Sequence, residues 1–93
     1  MTNKGLKFDD TKPRFDLIPP RAELELAKVL LHGASKYGPR NWELVDNHVD
    51  RYIAACRRHL NAYMIGEKID KESGLPHVAH AICSLMFILE KDL

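Results

Sequence analysis

The chain has 93 residues and a formal charge of +1, enough for one domain with a modest core. So balanced a charge leaves no electrostatic footprint for DNA or RNA, and a long nucleic acid is not an expected partner. No apolar run reaches the roughly 20 residues that span a bilayer, and MTNKGLKFDD has no apolar signal core, so a soluble protein of the cytoplasm is expected.

Residues 1–20 read as an irregular arm. Lys12-Pro13 and Pro19-Pro20 block helix and favour extended backbone. Phe8, Phe15, Leu17 and Ile18 punctuate its polar residues and are expected to tie it onto a core. A first helix is predicted from about Arg21 to Tyr37. Leu24, Ala27, Leu31 and Ala34 form one apolar line along it, and Leu26, Val29, Leu30 and Gly33 a second, which suits burial on two sides. Gly38-Pro39 stops it.

A loop from Gly38 to Asn47 leads to a second helix, from about Val49 to Ile65, with Asn47 as candidate N-cap and Gly66 as terminator. Val49, Ile53, Cys56, Leu60 and Met64 are expected to line its core face. A third helix runs from about Ser73 or Leu75 to Lys91, with Ser73 able to cap it and Pro76 suited to a first turn. Its apolar stripe is Leu75, Val78 or Ala79, Ile82, Met86 and Leu89. The expected fold is all-α: one domain with a bundle of about three helices over 21–91 and an ordered arm over 1–20. The modest core makes a homo-oligomer plausible. Cys56 and Cys83 stand alone in apolar helical patterns without CxxC spacing and read as buried free thiols.

Ligand-capable groups concentrate between Arg58 and His80. His77 and His80 begin the third helix three residues apart, so they share a face where two imidazoles can bind one metal or donate to a phosphate. The helix N-terminus favours an anion there. Glu67 and Asp70, just past the second helix, are hard oxygen ligands suited to Mg²⁺ or Mn²⁺ with phosphate completing the shell. His59 lies on the flank of the second helix shared with Tyr52, Ala55, Ala62 and Tyr63, and that flank could face the third helix. Arg58 can grip phosphate through two hydrogen bonds. Each group also has a structural explanation: hydrogen-bonded histidines between core and surface, a solvated acidic turn, an internal ion pair for Arg58.

Lys36, Tyr37, Arg40, Asn41 and Trp42 form a second tract. Lys36 and Arg40 bring charge, Tyr37 and Trp42 offer flat faces to a base, and Asn41 can pair with a base edge. Trp42 serves equally as a plug for the core. Lys12 and Arg14 could close over phosphates. No glycine-rich phosphate loop, GxSxG or HExxH occurs, and neither cysteine has the polar setting of a nucleophile.

Taken together, these residues resemble a phage-rich family of dATP/dGTP diphosphohydrolases (N-terminal domain type), loosely related to the MazG-like all-α pyrophosphohydrolases. The shared pattern is Lys12-Pro13-Arg14, Leu17-Ile18-Pro19-Pro20, Gly33-Ala34, Lys36-Tyr37-Gly38 and Asn41-Trp42. It continues as Arg58-His59-Leu60, Gly66-Glu67, Asp70, Ser73-Gly74, His77 and His80-Ala81. The resemblance implies a helical domain that binds a purine deoxynucleotide with a divalent metal and releases monophosphate and pyrophosphate, in the host cytoplasm if the chain is phage-encoded. MazG-like enzymes hold metal with ExxE on one helix and ExxD on the next. Here the second helix has no ExxE, and the third offers HisxxHis where ExxD would stand.

The leading expectation is therefore a Mg²⁺- or Mn²⁺-dependent nucleotide pyrophosphohydrolase. His59, Glu67, Asp70, His77 and His80 would be the metal ligands, with Glu67 and His77 catalytic. Lys12, Arg14, Lys36 and Arg58 would clamp phosphates, and Tyr37, Asn41 and Trp42 would hold the base. Because these segments are distant, a site shared between subunits of a homo-oligomer is expected. The rivals are a non-catalytic binder that sequesters a nucleotide or cyclic nucleotide, and a small interaction module with structural histidines.

Overall fold

The computed structural model describes residues 4–93. They form three helices, α1 (Pro20–Tyr37), α2 (His48–Met64) and α3 (His77–Asp92), with short 3₁₀ turns at Phe15–Leu17 and Asn41–Leu44. The fold is all-α, as expected. Pro20 opens α1, where a missing N–H costs nothing. Gly38 closes it at φ 96°, a conformation that disfavours any side chain, and its N–H bonds the Ala34 carbonyl at 2.8 Å. Asn47 does precede α2, but in a left-handed conformation and without a side-chain cap bond.

The third helix begins later than the sequence indicates, at His77, with Pro76 in the N-cap position. Ser73 is not its cap. Residues 67–76 instead form a tight turn closed by an isolated bridge between Ile69 and Pro76. Asp70 N–H bonds the Leu75 carbonyl and His77 N–H bonds the Lys68 carbonyl, both at 2.9 Å. Gly74 takes φ 71° at the corner, and its N–H returns to the Asp70 carbonyl. The turn holds Glu67 and Asp70 beside the start of α3 outside any helix, so the two carboxylates do not share a helical face.

Helix α3 is the centre of the fold. It packs against α2 along one side and α1 along another, while α1 and α2 make little contact with each other. Val29 of α1 meets Ala79 and Cys83 of α3, with Leu26, Leu75, Met86 and Phe87 around them. Both cysteines are buried free thiols, as expected. Only one of the two apolar lines of α1 is used: Leu24 and Leu31 stay exposed, so burial on two sides does not occur within the chain. On α2 the expected core line is mostly outside. Cys56 is buried, but Val49, Ile53, Leu60 and Met64 are exposed. On α3, Val78, Ile82 and Leu89 are exposed as well.

The arm is not tied down. Leu6, Phe8, Phe15 and Leu17 are all exposed, the last at 69%. The radius of gyration is accordingly 17.3 Å, against about 12 Å for a compact domain of this length. Among the described residues, no helix is long and apolar enough to cross a membrane.

Candidate functional site

Because α1 and α2 stand on either side of α3 without closing on each other, a cleft of about 920 Å³ opens between them. Helix α3 supplies its floor through His77, His80, Ser84 and Phe87. Its walls carry His32, Lys36 and Tyr37 of α1, Arg40, Asn41 and Trp42 of the following loop, and Arg51, Tyr52, Arg58 and His59 of α2. Asp70 and Glu72 come from the turn before α3. The volume is that of a small-molecule site.

Three imidazoles meet at one end. His59 lies flat against His80, with centroids 4.5 Å apart and planes inclined by 8°. His59 Nδ1 and His77 Nδ1 are 2.8 Å apart, so one of them donates and the other accepts. His80 Nε2 lies 2.7 Å from Ser73 Oγ, which also accepts the Leu75 N–H. Burial, reinforced by the neighbouring rings, pushes the pKa of His59 down, and burial does the same to His80. Both are therefore neutral imidazoles at neutral pH. Burial would raise the Asp70 carboxyl, but hydrogen bonds from the Ser73 side chain and backbone outweigh it and hold it below the ordinary range.

Glu67 stands apart from the cleft. Its Oε2 lies 3.6 Å from His77 Nε2, on the far side of that ring from His59. His77 is 5% exposed, and its Nε2 is buried without a hydrogen-bond partner. When His77 Nδ1 donates to His59, the Nε2 lone pair faces a carboxylate, an arrangement that calls for a cation or a proton between them. His80 Nε2 and Asp70 Oδ2 are 3.7 Å apart. Both separations are too long for a hydrogen bond. His77 with Glu67, and His80 with Asp70, are the groups that would hold a cation there. Among the described residues, no three His, Cys, Asp or Glu side chains form a ready cage. Each pair offers one imidazole nitrogen and one carboxylate oxygen, so an ion held there would take its remaining ligands from water or phosphate.

The other end of the cleft is aromatic and basic. Trp42 stacks on Phe87 at 4.8 Å and 11°, and Tyr52 meets Phe87 edge-on at 5.2 Å. Trp42 is thus both a packed side chain and a wall of the cleft. Lys36 pairs with Glu72 and lies 5.2 Å from the Tyr37 ring centroid. Four cations, Lys36, Arg40, Arg51 and Arg58, face two carboxylates, Asp70 and Glu72, so the lining favours an anion.

Of the residues selected from sequence, the fold brings His59, Asp70, His77, His80, Lys36, Tyr37, Asn41, Trp42 and Arg58 to one cleft, with Glu67 behind it. It does not bring Lys12 or Arg14. The arm runs away from the cleft, and Arg14 is held by Asp16 through two bonds of 2.8 and 2.7 Å. Sequence reasoning placed Tyr52 on the flank of His59 and Ser84 on the side of His77 and His80 without giving either a role, and passed over His32, Arg51 and Phe87. Phe87 was findable, because His80, Ser84 and Phe87 recur at helical spacing on one face.

A family model described as "dATP/dGTP diphosphohydrolase, N-terminal" matches residues 2–93. A dATP/dGTP diphosphohydrolase of Salmonella phage PMBT28 is 42% identical over 84 residues, which cover 90% of this chain and 28% of that protein. The chain thus spans little more than a quarter of its relative's length. No solved structure matches. With nearly its whole length matched by the family model, the chain belongs to the dATP/dGTP diphosphohydrolase N-terminal family.

Proposed function

We propose that the cleft binds a purine deoxynucleoside triphosphate together with Mg²⁺ or Mn²⁺ and hydrolyses it to the monophosphate and pyrophosphate. One observation carries the reading: a trio of packed imidazoles with adjacent carboxylates lies in the same cleft as an aromatic, cationic wall. The relative named a dATP/dGTP diphosphohydrolase supports the choice of substrate.

In this reading Arg58, Arg51 and Lys36 draw in the phosphates, and Tyr37, Asn41 and Trp42 hold the base, with Phe87 keeping the Trp42 ring in place. His80 and Asp70 would hold the metal, and His77 and Glu67 offer a second pair of ligands. Once bound, the metal would withdraw charge from the phosphoryl oxygens and acidify a bound water. His59, whose Nδ1 accepts from His77, carries its proton on Nε2 and donates a hydrogen bond to a phosphate oxygen, while the proton of the attacking water passes to solvent. His77 fixes the tautomer of His59 through the 2.8 Å Nδ1 contact, and Glu67 steadies His77 from behind.

The test is incubation with each ribo- and deoxynucleoside triphosphate plus Mg²⁺ or Mn²⁺ and separation of the products. Monophosphate and pyrophosphate, lost with chelator and with His59→Ala or His77→Ala, are expected. Intact nucleotide at high protein concentration would overturn hydrolysis. The lack of a preformed three-ligand cage favours a second reading, a binder that sequesters nucleotide without turnover. It predicts a nucleotide-induced thermal shift that survives chelation.

A further inference from the structure

The side of the molecule opposite the cleft carries a second feature, independent of nucleotide chemistry. On α2, the residues against α3 are Tyr52, Cys56 and His59, and the cleft-lining Arg51, Ala55 and Arg58 lie to one side of that seam. Val49, Ile53, Leu60 and Met64 lie to the other side, within about 60° of one another at 100° per residue. On α3, Val78, Ile82, Leu85 and Leu89 likewise fall within about 60° of one another, away from the cleft-lining His80, Ser84 and Phe87. All eight are exposed, from 37% for Val78 to 79% for Met64. The antiparallel pair α2–α3 therefore presents one continuous apolar face, with no charged residue in either stripe.

We infer that this face is the contact by which two copies of the chain associate, burying α2 and α3 of each in a four-helix layer with the two clefts pointing outward. Three observations select a second copy as the occupant. The first is spacing. The α2 stripe steps by four, seven and four residues and the α3 stripe by four, three and four, so each reads the same from either end. That is what a two-fold, self-complementary contact between antiparallel helices needs.

The second is register. Tyr52 meets Phe87 and His59 meets His77 and His80, so the midpoint of the α2 stripe, between Ile53 and Leu60, stands level with Ala81 or Ile82, within one helical turn of the midpoint of the α3 stripe. One two-fold axis passes within a turn of both midpoints. The third is area. The chain exposes 7837 Å², where a compact monomer of its mass would expose about 5,500 Å². The surplus of about 2,300 Å², to which the extended arm contributes, is on the scale that each subunit of an obligate homodimer buries.

The test is sedimentation equilibrium of the 93-residue chain at micromolar concentration, with helicity followed by circular dichroism. The wild type is expected at twice 10.7 kDa. Leu85→Glu and Ile53→Lys, each placing a charge at the centre of a stripe, are expected to raise the dimer dissociation constant by about 30-fold or more. Both should keep native helicity, because each side chain reaches solvent and can turn its charge outward. Leu31→Glu, on the exposed line of α1 outside the face, is the control and should leave the dimer intact. A monomeric wild type would overturn the inference, as would dissociation by Leu31→Glu but not by Leu85→Glu. Either result would leave this face to another occupant, such as a further part of a longer protein.

Discussion

His77 is where the demands of folding and of the site conflict most openly. Its imidazole is 5% exposed and its Nε2 is buried without a partner. A buried, unsatisfied polar group costs about 1–3 kcal/mol. Replacing it with Leu removes that cost and buries an aliphatic side chain of similar size, worth about 1 kcal/mol more. Against this stands the lost bond to His59 Nδ1, about 1 kcal/mol, whose remaining partner is only half-buried and can turn to solvent. His77→Leu should therefore stabilise the metal-free protein by about 1–2 kcal/mol, or about 4–15 °C in Tm for a domain of this size.

The assay is thermal melting in chelator and then in Mn²⁺. The wild type should gain stability with Mn²⁺, by about 2.7 kcal/mol at a hundred times Kd, whereas His77→Leu should gain much less and lose turnover. His77→Ala, which removes the same polar atom but leaves a cavity, should melt below His77→Leu. The reasoning is refuted if His77→Leu melts well below the wild type in chelator, or if Mn²⁺ raises both proteins equally. In the first case His77 is a structural histidine satisfied within the fold. In the second, metal binds elsewhere.

Acidification should destabilise the fold. His59 and His80 have folded pKa values below the ordinary 6.5, so the unfolded chain takes up their protons first. Their contribution is complete above that value and is lost as pH falls through it toward their lower folded values, and His59→Asn should flatten the melting curve against pH in that window. Cys83, pushed up to about 11 by burial, should resist thiol reagents at neutral pH until the protein unfolds, which a timed thiol assay would show. Phe87→Ala should destabilise by about 2–4 kcal/mol through lost burial and two aromatic contacts, and should weaken nucleotide binding by releasing Trp42. Phe87→Leu should recover most of the stability but less of the binding. Lys36→Ala should leave Tm nearly unchanged, because its pair with Glu72 is solvent-exposed, yet raise the Kd for triphosphates. An equal loss of both would place Lys36 in the packing instead.

What the sequence made legible was the set of faces; which face turns inward was not. The three helices stand within a few residues of where their caps and breakers put them, because Pro20, Gly38 and Gly66 act locally. The convergence of His59 with His77 and His80 followed from an antiparallel hairpin with a short turn. Residues far from their partners in sequence were harder. Lys12 and Arg14 share a basic character with Arg58, but nothing local draws an extended, proline-bounded arm toward the cleft.

On α2, periodicity favoured Val49, Ile53, Leu60 and Met64 as the core line because they are the larger aliphatics. The chain instead turns Tyr52, Cys56 and His59 toward α3, with Ala55 on the cleft side of that seam. The small residues explain this. Ala55 and Ala62 beside the seam on α2, and Ala81 and Ser84 on α3, leave room for two backbones to approach closely, and close approach is what brings three imidazoles within ring contact. A face of bulky aliphatics would hold the helices apart and leave the histidines in water, at ordinary pKa values and without fixed tautomers. The small residues therefore belong to the chemistry as much as the histidines do. Enlarging Ala55 to Leu should weaken the His59–His80 stack and return the His59 pKa toward its ordinary value, readable by NMR titration of the imidazole. An unmoved titration with the helices still paired would show that the stack does not depend on close approach.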